Sequence, residues 1–219
     1  MLVEVWSDIV CPWCYIGKRR LERALESFPE RDTVEVRFRS FELDPGRAQR
    51  TDETLDRMLA TKYGVSLEQA RGMNERVTRA AAEEGIGFRL DVARPGNTFD
   101  AHRLSHLARE QGLEAELMER LQAGYFCEGA AIGDPEVLAG LAVDAGLEPD
   151  TVRALLASDT HASAVREDEA LAAQLGIRGV PFFVIDRRLG VSGAQEASVL
   201  VGALEHATLE ARQATFVTS

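Results

Sequence analysis

Two cysteines near the start of the chain have the spacing of a reversible disulfide. Cys11 and Cys14 enclose only Pro12 and Trp13, and such a pair can close and reopen a small ring by thiol–disulfide exchange. The reacting form of cysteine is the thiolate, which a helix N-terminus stabilises through unpaired N–H groups and a partial positive charge. If the pair begins a helix, Cys11 is predicted to be the exposed nucleophile and Cys14 the more buried resolving thiol.

The flanking sequence predicts that the pair does begin a helix. Residues 2–6 alternate and are rich in β-forming types, as in a strand, and apolar residues recur at helical spacing from 16 to 28. Pro12 suits the first helical position, where no N–H partner is needed. The order of strand, C-x-x-C and helix predicts a thioredoxin-like redox site.

Two other interpretations fit the same cysteines. A C-x-x-C can be half of a zinc site, although neither a second C-x-x-C nor a finger-type histidine pair lies near it to complete four ligands. The cysteines could also be buried thiols that serve packing only, which leaves Pro12 at a helix start unexplained. The third cysteine, Cys127, has no neighbouring partner and is interpreted as a small buried hydrophobic residue.

Composition and charge narrow the class of protein. Of the 219 residues, 45% are hydrophobic and 28% charged, as in ordinary soluble globular proteins. The 25 basic residues against 36 acidic ones give a net charge of −11, which disfavours nucleic acids and anionic membranes as partners. We find no signal-peptide pattern before the first strand and no apolar run of membrane-spanning length, so we expect a cytoplasmic protein.

The rest of the chain predicts a small sheet interrupted by helices. Residues 34–39 alternate as a second strand, expected to be parallel to the first, and strands at 181–186 and 189–193 precede a last helix at 197–212. Between them lie helical segments bounded by glycines and capping residues. These segments are 52–63, 66–84, 99–110, 113–126, 135–145, 151–158 and a helix ending at 175 that begins at Thr160 or Ser163. The predicted order is β-α-β, helical insertion, α-β-β-α.

Several motifs together resemble the DsbA-like thioredoxin-fold proteins. The chain looks most similar to their FrnE-type branch, which is related to kappa-class glutathione transferases and 2-hydroxychromene-2-carboxylate isomerases. The resemblance implies an α/β thioredoxin-like domain at 1–44 and 176–219, with a large all-helical insertion at 45–175. The motifs are Cys11-Pro12-Trp13-Cys14, Ser7-Asp8, Phe41-Glu42-Leu43, Asn97-Thr98, Ala101-His102-Arg103-Leu104, Gly176 to Phe182 and Ser192-Gly193-Ala194-Gln195.

The resemblance also implies roles outside the cysteine pair. Pro181 matches the cis-proline that faces the two cysteines in this fold, so the predicted catalytic set is Cys11, Cys14 and Pro181. The backbone of Val180 would pair with an extended substrate. Residues 192–195 resemble the loop that receives the γ-glutamyl end of glutathione, although a simple N-cap turn fits equally well. The predicted substrate-binding residues are Trp13, Asn97, Val180, Ser192, Gly193, Ala194 and Gln195.

Three further side chains need an interpretation. Asp8 could tune the thiol of Cys11 or cap the first helix, and both readings stay open. His102 and His106 are four residues apart on a predicted helix, which is metal-ligand spacing. No acidic third ligand is evident near them, so no metal site is predicted.

The leading hypothesis is a cytoplasmic thiol–disulfide oxidoreductase or isomerase acting on protein or small-molecule disulfides. Its redox centre would be the Cys11–Cys14 disulfide, with no bound cofactor and with glutathione or a thioredoxin-type protein as reductant. An alternative is a glutathione-dependent isomerase or transferase, although those relatives carry serine where this chain has Cys11. A third is a non-enzymatic binding module. In each case we expect a groove beside Cys11, bounded by Trp13, Val180 and apolar residues of the insertion.

Overall fold

The fold consists of a four-stranded sheet and nine α-helices within the residues that the structure describes. The computed structural model describes the backbone of residues 1–217 and the side chains of residues 1–213. The strands are β1 (Leu2–Ser7), β2 (Glu35–Ser40), β3 (Phe182–Ile185) and β4 (Leu189–Ser192). The helices are α1 (Pro12–Ser27), α2 (Leu55–Tyr63), α3 (Leu67–Glu83), α4 (Phe99–Glu110), α5 (Glu114–Ala123), α6 (Pro135–Asp144), α7 (Pro149–Leu156), α8 (Ala162–Gln174) and α9 (Ala197–Val217).

The sheet has the strand order β2-β1-β3-β4. β1 pairs parallel to β2 and antiparallel to β3, and β4 returns antiparallel beside β3, so the predicted parallel pair and hairpin are confirmed. The hairpin turn contains neither Gly nor Asn. Asp186 and Arg187 adopt left-handed conformations there, with φ of 47° and 56°, and Asp186 Oδ1 accepts a 2.6 Å hydrogen bond from the Leu2 N–H. Asp tolerates this conformation better than most residues, and the tie to β1 holds it in place.

β1 is a central strand that is buried on both faces. Val3 and Val5 point into the core that α1 and α9 form on one side of the sheet. Trp6 points to the other side, against Ala172 of α8, and its indole N–H donates to the Asp168 carbonyl at 3.0 Å. The end of β1 therefore fixes the position of the segment that carries the cysteines.

The seven helices α2 to α8 lie between β2 and β3 in the chain, as predicted. Their apolar core includes Leu104, Leu121 and Phe126 and is continuous with Ile9 and Ile16 at the start of α1. The inserted helices thus pack directly on the end of α1 where the cysteines lie. The boundaries at 44/45 and 175/176 stay a prediction, and residues 218–219 of the second predicted segment lie outside the described residues.

Several helix boundaries differ from the predicted ones. α2 begins at Leu55 rather than at 52, because Thr54 is its N-cap. α5 ends at Ala123 and a π-helical turn, Gly124–Glu128, follows it. Leu141 packs closely on Gly124, where a Cβ would lie 3.0 Å from its methyl group. α7 begins at Pro149, the usual place for proline in a first turn. α9 extends to Val217. Within residues 1–217, none of the helices is long and apolar enough to cross a membrane.

Candidate active site

The cysteine pair occupies the first turn of α1. Cys11 is the N-cap residue, Pro12 is the first helical residue, and the Cys11 carbonyl accepts the Cys14 N–H at 3.0 Å. The prediction that the pair begins a helix is confirmed. Neither cysteine forms a disulfide in the structure.

The two sulfurs differ in their surroundings rather than in exposure. Cys11 is 4% exposed and Cys14 2%, so the expectation of an exposed Cys11 was wrong, because Val180 lies over it and its carbonyl accepts a 3.6 Å hydrogen bond from Cys11 Sγ. Burial raises the pKa of Cys14, and its hydrogen bond to Cys11 raises that pKa further, whereas the Asp8 N–H and Ser7 act in the opposite direction. Cys14 is therefore held as the protonated partner of the pair.

Pro181 lies against the start of α1. The Val180–Pro181 peptide bond is cis, the geometry that the resemblance implied. The contact with α1 is close, since a Cβ on Gly17 would lie 3.0 Å from Pro181 Cγ. A glycine at position 17 thus lets this proline approach the helix one turn beyond the cysteines.

A cavity of about 370 Å³ opens beside Cys11, within the usual range for small-molecule sites. One side consists of the segment from Asp8 to Trp13 together with Val180, and half-exposed Trp13 lies on this side. The other side is the helical insertion. Its apolar lining residues include Leu55, Met58, Leu59, Tyr63, Met73, Val77, Leu90, Tyr125 and Phe126. The expected groove is thus present, bounded by Trp13, Val180 and the insertion.

Positive charge accompanies this apolar lining. Arg47, Lys62 and Arg76 all line the cavity. Arg47 pairs with Asp44 at 3.0 Å, but Lys62 and Arg76 form no salt bridge within the described residues. In a protein of net charge −11, this wall can receive an apolar group that carries a negative charge.

The predicted glutathione loop lies beside Pro181 but does not line the cavity. The Gly193 N–H donates to the Pro181 carbonyl and the Gln195 N–H to the Gly193 carbonyl, each at 2.9 Å. The Gln195 amide donates to the Ser192 carbonyl at 2.8 Å, and the Ala194 carbonyl accepts from Arg20 at 2.8 Å. The N–H groups of Gly193 and Gln195 are therefore engaged within the protein and are not free to bind a carboxylate. Glutathione binding by residues 192–195 stays a prediction.

Asn97 occupies a structural position at the start of α4. Its Oδ1 accepts the Phe99 N–H at 2.9 Å and its Nδ2 lies 3.4 Å from Glu42 Oε1, whereas Thr98, the N-cap residue, makes no side-chain cap bond. The neighbouring residues Gly96 and Thr98 line the cavity, but Asn97 does not. The structure therefore does not bring Asn97 together with the predicted substrate-binding residues.

Asp8 and the two histidines form pairs that the sequence analysis missed. Asp8 does not cap α1, because its Oδ2 accepts the Leu43 N–H at 2.8 Å and its Oδ1 lies 3.4 Å from His102 Nε2. His106 instead faces Asp168 at 3.2 Å. The histidines thus do not converge on a metal, and no cluster of three or more metal-ligating side chains occurs in the described part of the chain. No short-range pattern in the sequence links Asp8 to His102, because only the folded chain brings the segment after β1 next to α4.

Cys127 lies in the π-helical turn, away from the other two cysteines. It is half-buried and packs against the core of the insertion. Burial raises its pKa. These features agree with its interpretation as a small apolar residue.

Comparisons with known proteins match nearly the whole chain. The model of the DSBA-like thioredoxin domain matches residues 2–205. A crystal structure described as the probable DsbA oxidoreductase SCO1869 from Streptomyces coelicolor is 51% identical, covers 96% of this chain and 91% of that chain, and has a TM-score of 0.92.

Two more distant structures share the fold. The first is a 2-hydroxychromene-2-carboxylate isomerase, 17% identical, with a TM-score of 0.69 and coverage of 100% of both chains. The second is the cytosolic disulfide reductase DsbM from Pseudomonas aeruginosa with GSH, 18% identical, with a TM-score of 0.59 and coverage of 98% of this chain and 100% of that chain. At these identities the likeness concerns the fold alone.

Proposed function

Since the chain belongs to the DSBA-like thioredoxin domain family, we propose that it is a thiol–disulfide oxidoreductase that reduces or reshuffles disulfides with Cys11 and Cys14. One observation carries the proposal. Cys11 is the N-cap residue of α1 and lines the cavity, whereas Cys14, whose pKa burial raises, lies in the first turn and does not line it. This arrangement fits attack by Cys11 and resolution by Cys14, because Cys11 lies at the helix terminus on the cavity side and Cys14 lies behind it.

The reaction proceeds in two exchanges. The Cys11 thiolate attacks one sulfur of the substrate disulfide, and the other substrate sulfur leaves as a thiolate. Cys14 then attacks Cys11 Sγ in the mixed disulfide, which releases the second substrate sulfur and leaves the Cys11–Cys14 disulfide. Two electrons pass from the cysteine pair to the substrate, and an external thiol must return them.

The cavity indicates which substrates can reach Cys11. Its apolar lining, with Lys62 and Arg76, suits a small-molecule disulfide or an apolar side chain beside a protein disulfide. We propose glutathione or a thioredoxin-type protein as the reductant; the solved DsbM structure contains GSH and has the same fold. A cytoplasmic location, where such reductants are abundant, is part of the same proposal.

A second candidate is a glutathione-dependent isomerase or transferase. The observation in its favour is the apolar cavity next to a thiol on a fold shared with the 2-hydroxychromene-2-carboxylate isomerase. Against it stands Cys11, since a paired cysteine is oxidised by disulfides in preference to holding a glutathione thiolate.

Insulin reduction in the presence of dithiothreitol tests the proposal. We expect the wild type to accelerate it, Cys11→Ser to abolish the acceleration, and Cys14→Ala to accumulate a mixed disulfide at Cys11. Cys127→Ser is the matched control and should behave as the wild type. A wild type without activity on insulin or on glutathione disulfide would favour a binding module, and isomerase activity that survives Cys11→Ser would favour the second candidate.

A further inference from the structure

The cavity beside Cys11 contains a buried hydroxyl group without a partner. Tyr125 lines the cavity and is 1% exposed, and no described residue forms a hydrogen bond with its hydroxyl group. Burial raises the pKa of Tyr125 and the charge of Asp8 raises it further, whereas Arg47 acts in the opposite direction. The hydroxyl group therefore keeps its proton and is a hydrogen-bond donor. Because buried tyrosine hydroxyls usually have a partner, we expect a ligand to supply the acceptor.

The ring of Tyr125 is held with its hydroxyl group on the cavity side. It packs edge-on against Phe126, with the ring centroids 4.8 Å apart and the planes at 83°. Asp8 and Arg47, whose charges act on the hydroxyl group, both line the cavity. The two aromatic residues lie in the π-helical turn Gly124–Glu128, and such turns are frequent at functional sites. The hydroxyl group can therefore donate to an oxygen atom of a molecule bound in the cavity.

Helix α2 supplies an apolar wall that the rest of the protein does not cover. Of its nine residues only Leu55 is buried, whereas Met58, Leu59 and Tyr63 line the cavity. Tyr63 is 54% exposed. An apolar group in the cavity would remove this surface from water, which is favourable in proportion to the area buried. The cavity therefore favours an apolar ligand over a hydrophilic one.

Two cations of the insertion give the cavity its preference for charge. Lys62 of α2 and Arg76 of α3 are exposed, line the cavity and form no salt bridge within the described residues. Of the acidic residues that line the cavity, Asp44 pairs with Arg47 at 3.0 Å and Asp8 is 1% exposed. The exposed part of the cavity is thus positive in a protein of net charge −11, and it attracts a carboxylate.

We propose that the cavity binds disulfides of apolar organic acids, with the Tyr125 hydroxyl group donating a hydrogen bond to the carboxylate that Lys62 and Arg76 attract. The inference rests on the proposed function, since it names the substrate class of that reaction. Cys11 Sγ bonds to one sulfur of the substrate as its S–S bond breaks, and the first acid leaves. Cys14 Sγ then bonds to Cys11 Sγ, and the second acid leaves with the bonding electrons. Two electrons and two protons pass from the dithiol to the substrate, which departs as two thiol acids.

Two coloured reagents that differ only in their carboxylates test the inference. The acid 5,5′-dithiobis(2-nitrobenzoate) carries one carboxylate on each ring, and bis(4-nitrophenyl) disulfide is the same molecule without them. The reduced full-length chain with Cys127→Ser, which removes the third thiol, is mixed with an excess of either reagent, and thiolate release is followed by stopped flow. Each rate is divided by the rate of the same reagent with dithiothreitol, which corrects for intrinsic reactivity. We expect this relative rate to be at least about tenfold higher for the acid.

Variants show whether the named residues cause this preference. Tyr125→Phe deletes only the hydroxyl group and should lower the relative rate of the acid about tenfold, while that of the other reagent changes by less than about twofold. Lys62→Gln combined with Arg76→Gln should lower the rate of the acid about threefold at low ionic strength and less at high ionic strength. The matched control Arg57→Gln, which alters an exposed cation of α2 that does not line the cavity, should change neither rate.

The possible outcomes separate this inference from the proposed function. A wild type that reacts with both reagents but does not prefer the acid would overturn the inference and leave the proposed function intact. Equal slowing of both reagents by Tyr125→Phe would do the same, because it would reveal a structural role for the hydroxyl group. If neither reagent releases thiolate and insulin is not reduced, the proposed function fails and this inference fails with it.

A measurement on the wild type keeps the test decisive if the variants do not fold. Naphthalene-2-carboxylate and naphthalene-2-methanol contain no sulfur and differ in the carboxylate. We expect the carboxylate to protect Cys11 from iodoacetamide at a concentration at least about fivefold lower than the alcohol, because only the carboxylate can pair with the cations and accept a charge-assisted hydrogen bond. Equal protection by the two compounds would overturn the inference.

Discussion

Two histidines of α4 each face a buried aspartate, but only one of these two His–Asp pairs has a complete set of hydrogen bonds. His106 faces Asp168 at 3.2 Å, and both oxygens of Asp168 accept further hydrogen bonds, from Arg39 at 2.8 Å and from the Ser40 N–H at 3.0 Å. Ser40 Oγ also lies 3.2 Å from His106 Nε2. This pair is a completed network.

The Asp8–His102 pair lies one helical turn earlier and is incomplete. Asp8 has one clear donor, the Leu43 N–H, and its other oxygen faces His102 without a hydrogen bond of good geometry. Removing one partner of a completed buried pair is strongly destabilising, because the other partner is left buried without compensation. In an incomplete pair, a polar atom is still free to accept a hydrogen bond or a proton. Asp168–His106 therefore holds β2 and α8 to α4, whereas Asp8 ties the segment after β1 to Leu43 by a single hydrogen bond.

The largest expected effect is on stability. Asp168→Asn should lower the free energy of unfolding by about 3–5 kcal/mol, because it leaves Arg39 buried without its second carboxylate and breaks a connected network. Asp8→Asn should cost less than about 1.5 kcal/mol, since asparagine can still accept the Leu43 N–H. Chemical denaturation of both variants measures the difference. Equal losses would show that the two pairs do not differ in the way proposed.

A smaller effect should appear in the pH dependence of stability. Burial acts to raise the pKa of Asp168, but hydrogen bonds from His106 and Ser40 and the charge of Arg39 outweigh it, so the pKa lies below 3.8. A carboxyl whose pKa is lowered by folding stabilises the protein above its unfolded pKa, and this contribution is lost as the pH falls through the folded pKa.

Denaturation midpoints measured at decreasing pH check this expectation. The wild type should lose stability below about pH 4, the usual range for aspartate, and Asp168→Asn should show a flatter profile there. Profiles that run parallel through this range would mean that the partners of Asp168 do not lower its pKa in the folded protein.

The smallest expected effect is on thiol labelling. Cys11 lines the cavity and Cys14 does not, and burial raises the pKa of Cys14. Iodoacetamide should therefore modify Cys11 first and reach Cys14 only on unfolding. Asp8→Asn should keep this order, because access to the sulfurs does not depend on that carboxylate. Peptide mapping gives the two rates, and equal rates in the wild type would contradict the assigned roles.

Local features of the sequence were sufficient for most elements of the fold. Pro12 and the C-x-x-C at the start of α1, the capping box of Ser66 and Gln69 at the start of α3, and the Asp134 cap of α6 are all present. Each of these helix starts depends on residues within one helical turn, so the residue types alone are enough to predict it. The turn at Gly124 was not predicted in this way, and the contact of Gly124 with Leu141 of α6 joins residues that no pattern within one turn connects.

For the site, the sequence determined the chemistry and the tertiary structure decided the partners. The cysteine spacing and Pro12 indicated a redox pair without reference to the rest of the chain, and the resemblance added Pro181. Only the tertiary structure shows that Val180 lies over Cys11 and that Asn97 does not line the cavity. It also shows that the Gly193 N–H donates to the Pro181 carbonyl. His102 and His106 show the reason most clearly. Their spacing is that of two ligands of one metal, but in the folded chain they face Asp8 and Asp168 instead. Side-chain partners so distant in sequence are set by how elements pack together.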